Sequence, residues 1–232
     1  MIPKMIHCFW FGKKEIPKDQ KRYLASWKKF CPDYKIKLWN EGNYDIHKNR
    51  YMEQAYEAGK FGFVPDFARL DIIYQYGGFY FDTDVELLKN LEGLRKYSAV
   101  MGFERYEDKL KVATGQGFGA EKNHPAIKEI MSIYERRNFV RRDGTYNLLP
   151  STDLMTNYML GKGLDLSGKR QTVMGITILP EEYFCPLKYS SKGNKLEITE
   201  NSYAVHHFAG SWKKSEHMKI KFIEQLINKV KR

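Results

Sequence analysis

Cysteine is scarce in this chain. Its three residues, Cys8, Cys31 and Cys185, are odd in number, far apart and without a CxxC pair. That pattern excludes a disulfide framework and a cysteine-rich zinc cluster, and it makes a reducing cytoplasm the expected home. Long apolar runs are missing too. No stretch approaches the roughly 18 residues that a membrane-spanning helix needs. The opening Met-Ile-Pro-Lys-Met-Ile-His lacks a charged segment followed by a long apolar one, so no signal peptide is expected. There is no internal repeat, no low-complexity linker and no shift of composition to mark a second domain, so one domain over residues 1–232 is expected. No nucleic-acid-binding motif accompanies the basic residues, which argues against nucleic acid as a partner.

What is present is a globular composition of 232 residues, 42% hydrophobic and 15% aromatic, with a net charge of +11. The lysines are spread along the chain. They would suit an anionic membrane surface, a phosphorylated substrate or simply a solvated face. The spacing of apolar residues predicts strands at 5–11, 36–39, 79–81, 176–179 and 203–208. Helices are expected at 18–30, 51–58, 64–76, 125–136 and 152–160, and a basic amphipathic one at about 216–232. In the 18–30 helix, Tyr23, Leu24, Trp27 and Phe30 fall on one side. In the 64–76 helix, Phe67, Leu70, Ile73 and Tyr74 do the same, with Pro65 where the first turn tolerates a missing N–H. Alternating strands and helices argue for an α/β fold with a largely parallel or mixed sheet, in which ligands bind outside the carboxyl ends of the strands.

One such end carries the strongest chemical signal. Gly77-Gly78 closes a helix, Phe79-Tyr80-Phe81 reads as a buried strand, and Asp82-Thr83-Asp84 follows at once. Side chains at i and i+2 of a strand point the same way, so Asp82 and Asp84 converge if the extended geometry persists. Two hard carboxylates with room for further ligands suit a divalent cation that also holds a diphosphate. An Asp-x-Asp by itself also occurs in ordinary solvated turns.

Three other segments carry suitable partners. His7-Cys8-Phe9-Trp10-Phe11-Gly12 places Trp10 near the sheet edge, where its ring either stacks on a base or fills the core. Asp66 and Arg69, three apart on a helix, either pair with each other or grip sugar hydroxyls and a phosphate. The late stretch Ala204 to Trp212 runs from an apolar strand into His206-His207 and a Gly-Ser-Trp turn. An imidazole there could complete a metal shell, and the Ser211 hydroxyl and Trp212 indole N–H are donors suited to a phosphate oxygen.

Together, IPKMIHCFWFG, VPDFARLDIIYQYGGFYFDTDVELL and HHFAGSW resemble glycosyltransferase family 32 and its wider DXD sugar-binding relatives. These include yeast-type initiating mannosyltransferases, bacterial capsule and lipopolysaccharide sugar transferases, and clostridial glucosylating toxin domains. The resemblance is nearly continuous over residues 3–100 and thin between about 140 and 200. It implies a GT-A fold and metal-dependent, retaining transfer from a nucleotide sugar to a glycan or lipid-linked oligosaccharide acceptor in surface polysaccharide synthesis. UDP-sugar is the favoured donor, with GDP-sugar also within the family's range, and Mn2+ or Mg2+ is the implied cofactor. By the same similarity Trp10 stacks on the base with Phe9 flanking it, and Asp66 and Arg69 hold donor-sugar hydroxyls. Asp82 touches ribose and sugar with an indirect link to the metal, Thr83 lies in the donor site, and Asp84 ligates the metal directly. His207, whose spacing to Ser-Trp matches the family's usual pattern, is the late metal ligand, and Ser211 and Trp212 meet the diphosphate. Gln116, in the glycine-rich loop Thr114 to Gly117, and Asp153 are expected near the reacting centre. Asp153 equally suits a first-turn helix acid.

Two rival readings make different demands. A metal-dependent phosphohydrolase would also use an Asp-x-Asp, but it normally needs a nucleophilic Asp on the first strand or a multi-histidine metal cluster. A non-catalytic basic binding module would need none of the converging groups. In the C-terminal segment, Ile220, Ile223, Leu226, Ile227 and Val230 form an apolar stripe edged by Lys219, Lys221, Lys229, Lys231 and Arg232. That pattern suits either peripheral contact with an anionic membrane at its cytoplasmic face or packing on the domain's own core.

Overall fold

The computed structural model describes residues 1–188 and 193–210. The helix expected at 216–232, with Ser211 and Trp212, lies outside them. In chain order the elements are β1 (Met5–Phe9), α1 (Lys18–Phe30), β2 (Lys35–Trp39), α2 (Arg50–Glu57), α3 (Pro65–Tyr76), β3 (Gly78–Tyr80) and β4 (Val85–Leu87). Then come β5 (Ala99–Tyr106), β6 (Lys109–Ala113), β7 (Phe118–Ala120), α4 (Pro125–Glu135), α5 (Ser151–Leu160), β8 (Gln171–Val173) and β9 (Ile176–Leu179). Two short pairs complete the list, β10 (Leu187–Lys188) with β11 (Lys195–Leu196), and β12 (Ala204–His206) with β4. The expected helices are all found within the described residues to within a residue or so.

The main sheet runs β2-β1-β3-β7-β5-β9-β8, with β6 added on β5. β1 is parallel to β2 and β3, and β5 is parallel to β9, while β7 runs antiparallel to both β3 and β5. The sheet is therefore mixed, and most of its strands share one direction. Period-2 alternation sends neighbouring side chains to opposite faces. Phe9 and Tyr80 enter a core built with α2, α3, α4 and α5. Ile6, Cys8, Phe79 and Phe81 enter a second core on the other face, with Trp27 of α1 and Val85 of β4.

Helix α3 lies between these strands and the outer helices, and it is buried from Asp66 through Ile73. Pro65 starts it, and Gly77 ends it at φ 66°, with its N–H on the Ile73 carbonyl at 2.8 Å. A side chain at Gly77 would come within 2.8 Å of the Lys122 backbone nitrogen, so both the turn and the packing require glycine. The turn is also fixed from β1. Trp39 Nε1 donates to His7 Nδ1 at 3.1 Å, which leaves His7 Nε2–H to donate to the Gly77 carbonyl at 3.0 Å. Burial holds the His7 imidazole neutral, down to about 4. This histidine is structural. It aims the end of α3 into β3.

Candidate active site

The extended conformation expected through Asp84 does not persist. Phe81 N–H still bonds the His7 carbonyl at 3.1 Å, but the chain then turns, and Val85 N–H bonds the Asp82 carbonyl at 3.1 Å. The two carboxylates are brought together by this turn. Thr83, at its centre, is buried with its hydroxyl donating to Gln20 Oε1 of α1 at 2.8 Å. Its side chain anchors the turn from the side facing α1.

Asp82 is held from three directions. Its N–H donates to the Gly115 carbonyl at 2.8 Å, the Tyr80 hydroxyl donates to Oδ1 at 2.6 Å, and Arg69 Nη1 lies 3.7 Å from the same oxygen. Gly115 is the reason these groups fit. A Cβ there would collide with Asp82 Oδ2 and come within 3.1 Å of Arg69 Nη1. The Thr114–Gly117 loop is therefore a backbone cradle for the carboxylate.

Arg69 and Asp66 do pair, at 3.2 Å between Nη2 and Oδ1, but the pair is buried within a larger network. Arg69 also donates through Nε to the Pro65 carbonyl at 3.0 Å, and its guanidinium lies 5.0 Å above the Tyr80 ring. The Tyr51 and Ser151 hydroxyls also act on the Asp66 carboxylate. Burial nonetheless pushes Asp66 up to about 6, against the pull of Arg69. One guanidinium thus bridges a carboxylate that resists ionising and a second that reaches the strand end.

The histidine doublet divides its work. His206 Nε2 stands 3.5 Å from Asp84 Oδ1, and its Nδ1 lies 3.0 Å from Glu104 Oε2 of β5. Burial favours a neutral His206 ring, but Asp84 and Glu104 outweigh it and raise the imidazole well above its ordinary value. Burial would likewise raise Asp84. The His206 ring and the Ala209 N–H, 2.9 Å from Oδ2, hold it well below the usual carboxylate range instead. His207 corrects the expectation for the late ligand. Its ring is 1% exposed, stacked on Tyr23 at 4.0 Å and facing Glu86 at 3.2 Å. Adjacent residues leaving a strand point to opposite sides, so only one of the two can face Asp84.

Asp82, Asp84 and His206 each offer one ligand atom, all within 4.8 Å of one another. Glu104, Cys185 and His206 form a second such trio, sharing the same histidine. Because Glu104 engages Nδ1, it fixes the ring so that Nε2 faces Asp84, the arrangement by which an outer carboxylate orients a ligating imidazole. The Cys185 thiol is pushed up to about 11 by burial, which makes it a poor thiolate donor. All three cysteines are buried and unpaired.

The remaining expected residues fall in several places. Trp10 is half-buried at the end of β1, its Nε1 donating to the Lys14 carbonyl at 2.6 Å, and it is not part of either core. Phe9 is buried among Phe11, Tyr44, Trp39 and Tyr80, so its ring supports that edge from beneath. Gln116 is fully buried with Nε2 donating to the Gly102 and Phe103 carbonyls at 2.9 and 3.0 Å, which ties the cradle to β5. Asp153, in the first turn of α5, pairs with Lys111 at 2.6 Å. Both have partners within the fold. Sequence reading missed Tyr80, Gly115 and Glu104. The Thr-Gly-Gln-Gly motif could have pointed to Gly115, but nothing local marks Glu104.

Residues 17–101 match the model of the glycosyltransferase sugar-binding region containing a DXD motif. Inositol phosphoceramide mannosyltransferase 3 of Schizosaccharomyces pombe is 31% identical over 146 residues, 60% of this chain and 38% of that protein. The chain thus spans well under half the length of this curated relative. A glycosyltransferase involved in the glycosylation of the major capsid of PBCV-1 superposes with a TM-score of 0.51 at 10% identity, over 94% of this chain and 98% of that one. The PaToxG glycosyltransferase superposes with a TM-score of 0.49 at 21% identity, over 69% of each chain. Among the described residues no helix is long and apolar enough to cross a membrane. The fold is GT-A-like, and residues 17–101 are similar to the glycosyltransferase sugar-binding region containing a DXD motif.

Proposed function

We propose that this protein is a glycosyltransferase that moves a sugar from a nucleotide-diphosphate donor to an acceptor hydroxyl. One observation carries the reading: Asp82, Asp84 and His206 converge at the end of a buried strand of a GT-A-like sheet. Two hard carboxylate oxygens and one imidazole fit Mn2+ or Mg2+ better than a thiolate-seeking metal. Asp82, Asp84 and His206 would hold the cation, which when bound offsets the charge developing on the leaving diphosphate.

The chain's own groups would do the rest. Trp10, half-buried at the sheet edge, offers a face for the base. Asp66 and Arg69 offer an acceptor and several donors for sugar hydroxyls, held by their mutual pair and the Pro65 carbonyl. Asp82, fixed between Tyr80 and Arg69, would face the space between sugar and diphosphate. We read the reaction as retaining, because the carboxylates near the site are already committed to Arg69, Tyr80 and His206. A phosphate oxygen of the leaving group then takes the acceptor's proton on the same face. UDP-sugar is the favoured donor, and assembly of a surface glycan on a lipid-linked acceptor at the cytoplasmic membrane face is the proposed setting.

The decisive experiment is donor hydrolysis by purified protein across UDP- and GDP-sugars, with Mn2+, with Mg2+ and with chelator. The reading requires cation-dependent release of free sugar from at least one donor. Release of phosphate from simple phosphomonoesters, with no sugar nucleotide consumed, would replace it with phosphohydrolysis.

A further inference from the structure

We propose that the cavity bounded by Arg50, Gln54, Asn138, Val140, Arg141 and Arg142 binds a phosphate group carried by the acceptor. The cavity has a volume of about 640 Å³ and no acidic residue in its wall. As an acceptor site it rests on the transferase reading above; as a phosphate site it stands on its own residues.

Its arginines are available. Among the described residues, neither Arg50 nor Arg142 makes a hydrogen bond or ion pair, and both are exposed. Arg141 spends one nitrogen on the neutral Thr145 hydroxyl at 3.2 Å. The nearest acid along the chain, Asp143, is occupied by the N–H and hydroxyl of Thr145 at 3.0 and 2.7 Å. Gln54 uses its carbonyl oxygen to accept from Phe139 and Val140 N–H, at 2.9 and 3.2 Å, and so offers its amide nitrogen to the cavity. The wall therefore presents donors: planar guanidinium forks that match phosphate oxygens, and carboxamides beside them.

The presentation is ordered. Val140 pairs with Tyr146, Arg141 N–H donates to the Thr145 carbonyl at 2.8 Å, and Asn147 N–H donates to the Phe139 carbonyl at 2.7 Å. Arg141 and Arg142 thus project from a small hairpin braced on α2 by Gln54. The wall is also adjacent along α2 to a residue that acts on the candidate donor site. Arg50 starts α2, and its neighbour Tyr51 interacts with Asp66 of the candidate donor site. Arg137, preceding Asn138, lies 5.8 Å over the Tyr51 ring with Nε and Nη2 buried and unpartnered. Two buried guanidinium nitrogens without hydrogen-bond partners, on a half-buried arginine next to a basic cavity, are groups an incoming oxyanion would satisfy.

A sugar phosphate in solution and a phospholipid headgroup share this chemistry, and the test separates them. Affinity is measured for a soluble hexose phosphate by calorimetry, and for phosphatidylcholine vesicles containing phosphatidylinositol by sedimentation, at low and high salt. Wild type, Arg50→Gln and the double variant Arg141→Gln/Arg142→Gln are compared. All three arginines are exposed, so the variants should fold, and melting midpoints check this. The proposal expects salt-sensitive binding that falls about tenfold or more in the double variant. Loss for the hexose phosphate identifies a soluble acceptor, and loss for vesicles alone identifies a lipid one. Neither probe binding wild type, or equal binding by all three proteins, overturns the site. Donor hydrolysis by wild type is scored separately. Its absence alongside arginine-dependent phosphate binding sinks the transferase reading and leaves the phosphate site standing.

Discussion

His206 Nε2 lies 3.5 Å from Asp84 Oδ1, while the ring of His207, one residue on, stacks 4.0 Å from Tyr23. The pair places the two histidines in different environments, one facing the carboxylates and one enclosed in the fold. His206→Ala should remove cation-dependent donor hydrolysis and raise the cation concentration needed for thermal stabilisation. His207→Ala should leave the cation response near normal but cost on the order of 1–3 kcal/mol of stability, the range for losing a buried hydrogen-bonding group. Cation titrations of the melting midpoint distinguish them. Reversed phenotypes would return the ligand role to His207.

Gly115→Ala probes the carboxylate cradle. The added methyl meets Asp82 and Arg69, while the backbone there needs no left-handed conformation. Donor hydrolysis should drop by about tenfold or more, because displacing a positioned group is costly, with a smaller effect on the melting midpoint. Unchanged hydrolysis would show that Asp82 can move freely and that its fixed position does not matter.

Asp66 gives a pH signature in metal-free protein. Its folded-state value, about 6, lies above the ordinary 3.8. A carboxyl raised in this way binds more protons in the folded state than in the unfolded one. Its stabilising contribution is therefore full below about pH 4 and is lost as pH rises through about 6. Relative to Asp66→Asn, wild type should lose on the order of 3 kcal/mol between those limits. Denaturant unfolding of both proteins across that window measures the difference. A flat difference would mean that Arg69 and Tyr51 keep the carboxylate ionised throughout.

Trp10→Ala should weaken nucleotide binding by about 1–3 kcal/mol, the range for a base stacked on an aromatic ring. Since Trp10 is only half-buried and anchored by one bond to Lys14, the fold should survive. Calorimetric titration with UDP checks this. A protein that melts early but binds UDP normally would make Trp10 a packing residue.

Much of this was legible along the chain because the signals are local. Alternation in Phe79-Tyr80-Phe81, the three-and-four spacing of Phe67, Leu70, Ile73 and Tyr74, and the Gly77 stop each report conformation within a few residues. They placed α3, β3 and the Asp82–Asp84 pair, and the motif around them pointed to the sugar-binding family. What the sequence could not determine depends on residues far apart. His206 differs from its neighbour only in which face of a short strand it occupies, and that follows from how Ala204–His206 pairs with Val85–Leu87. Glu104 reaches His206 across 102 positions, and Gly115 cradles Asp82 only because β7 lies against β3. Gln116 and Asp153, attractive as polar residues near glycine or a helix start, find partners on β5 and β6 that no local stretch announces. The sequence by itself determined which elements form and which groups could do chemistry. Only tertiary pairing decided which of those groups meet, because a side chain's partners depend on strand register and sheet order, and neither is written in any local stretch.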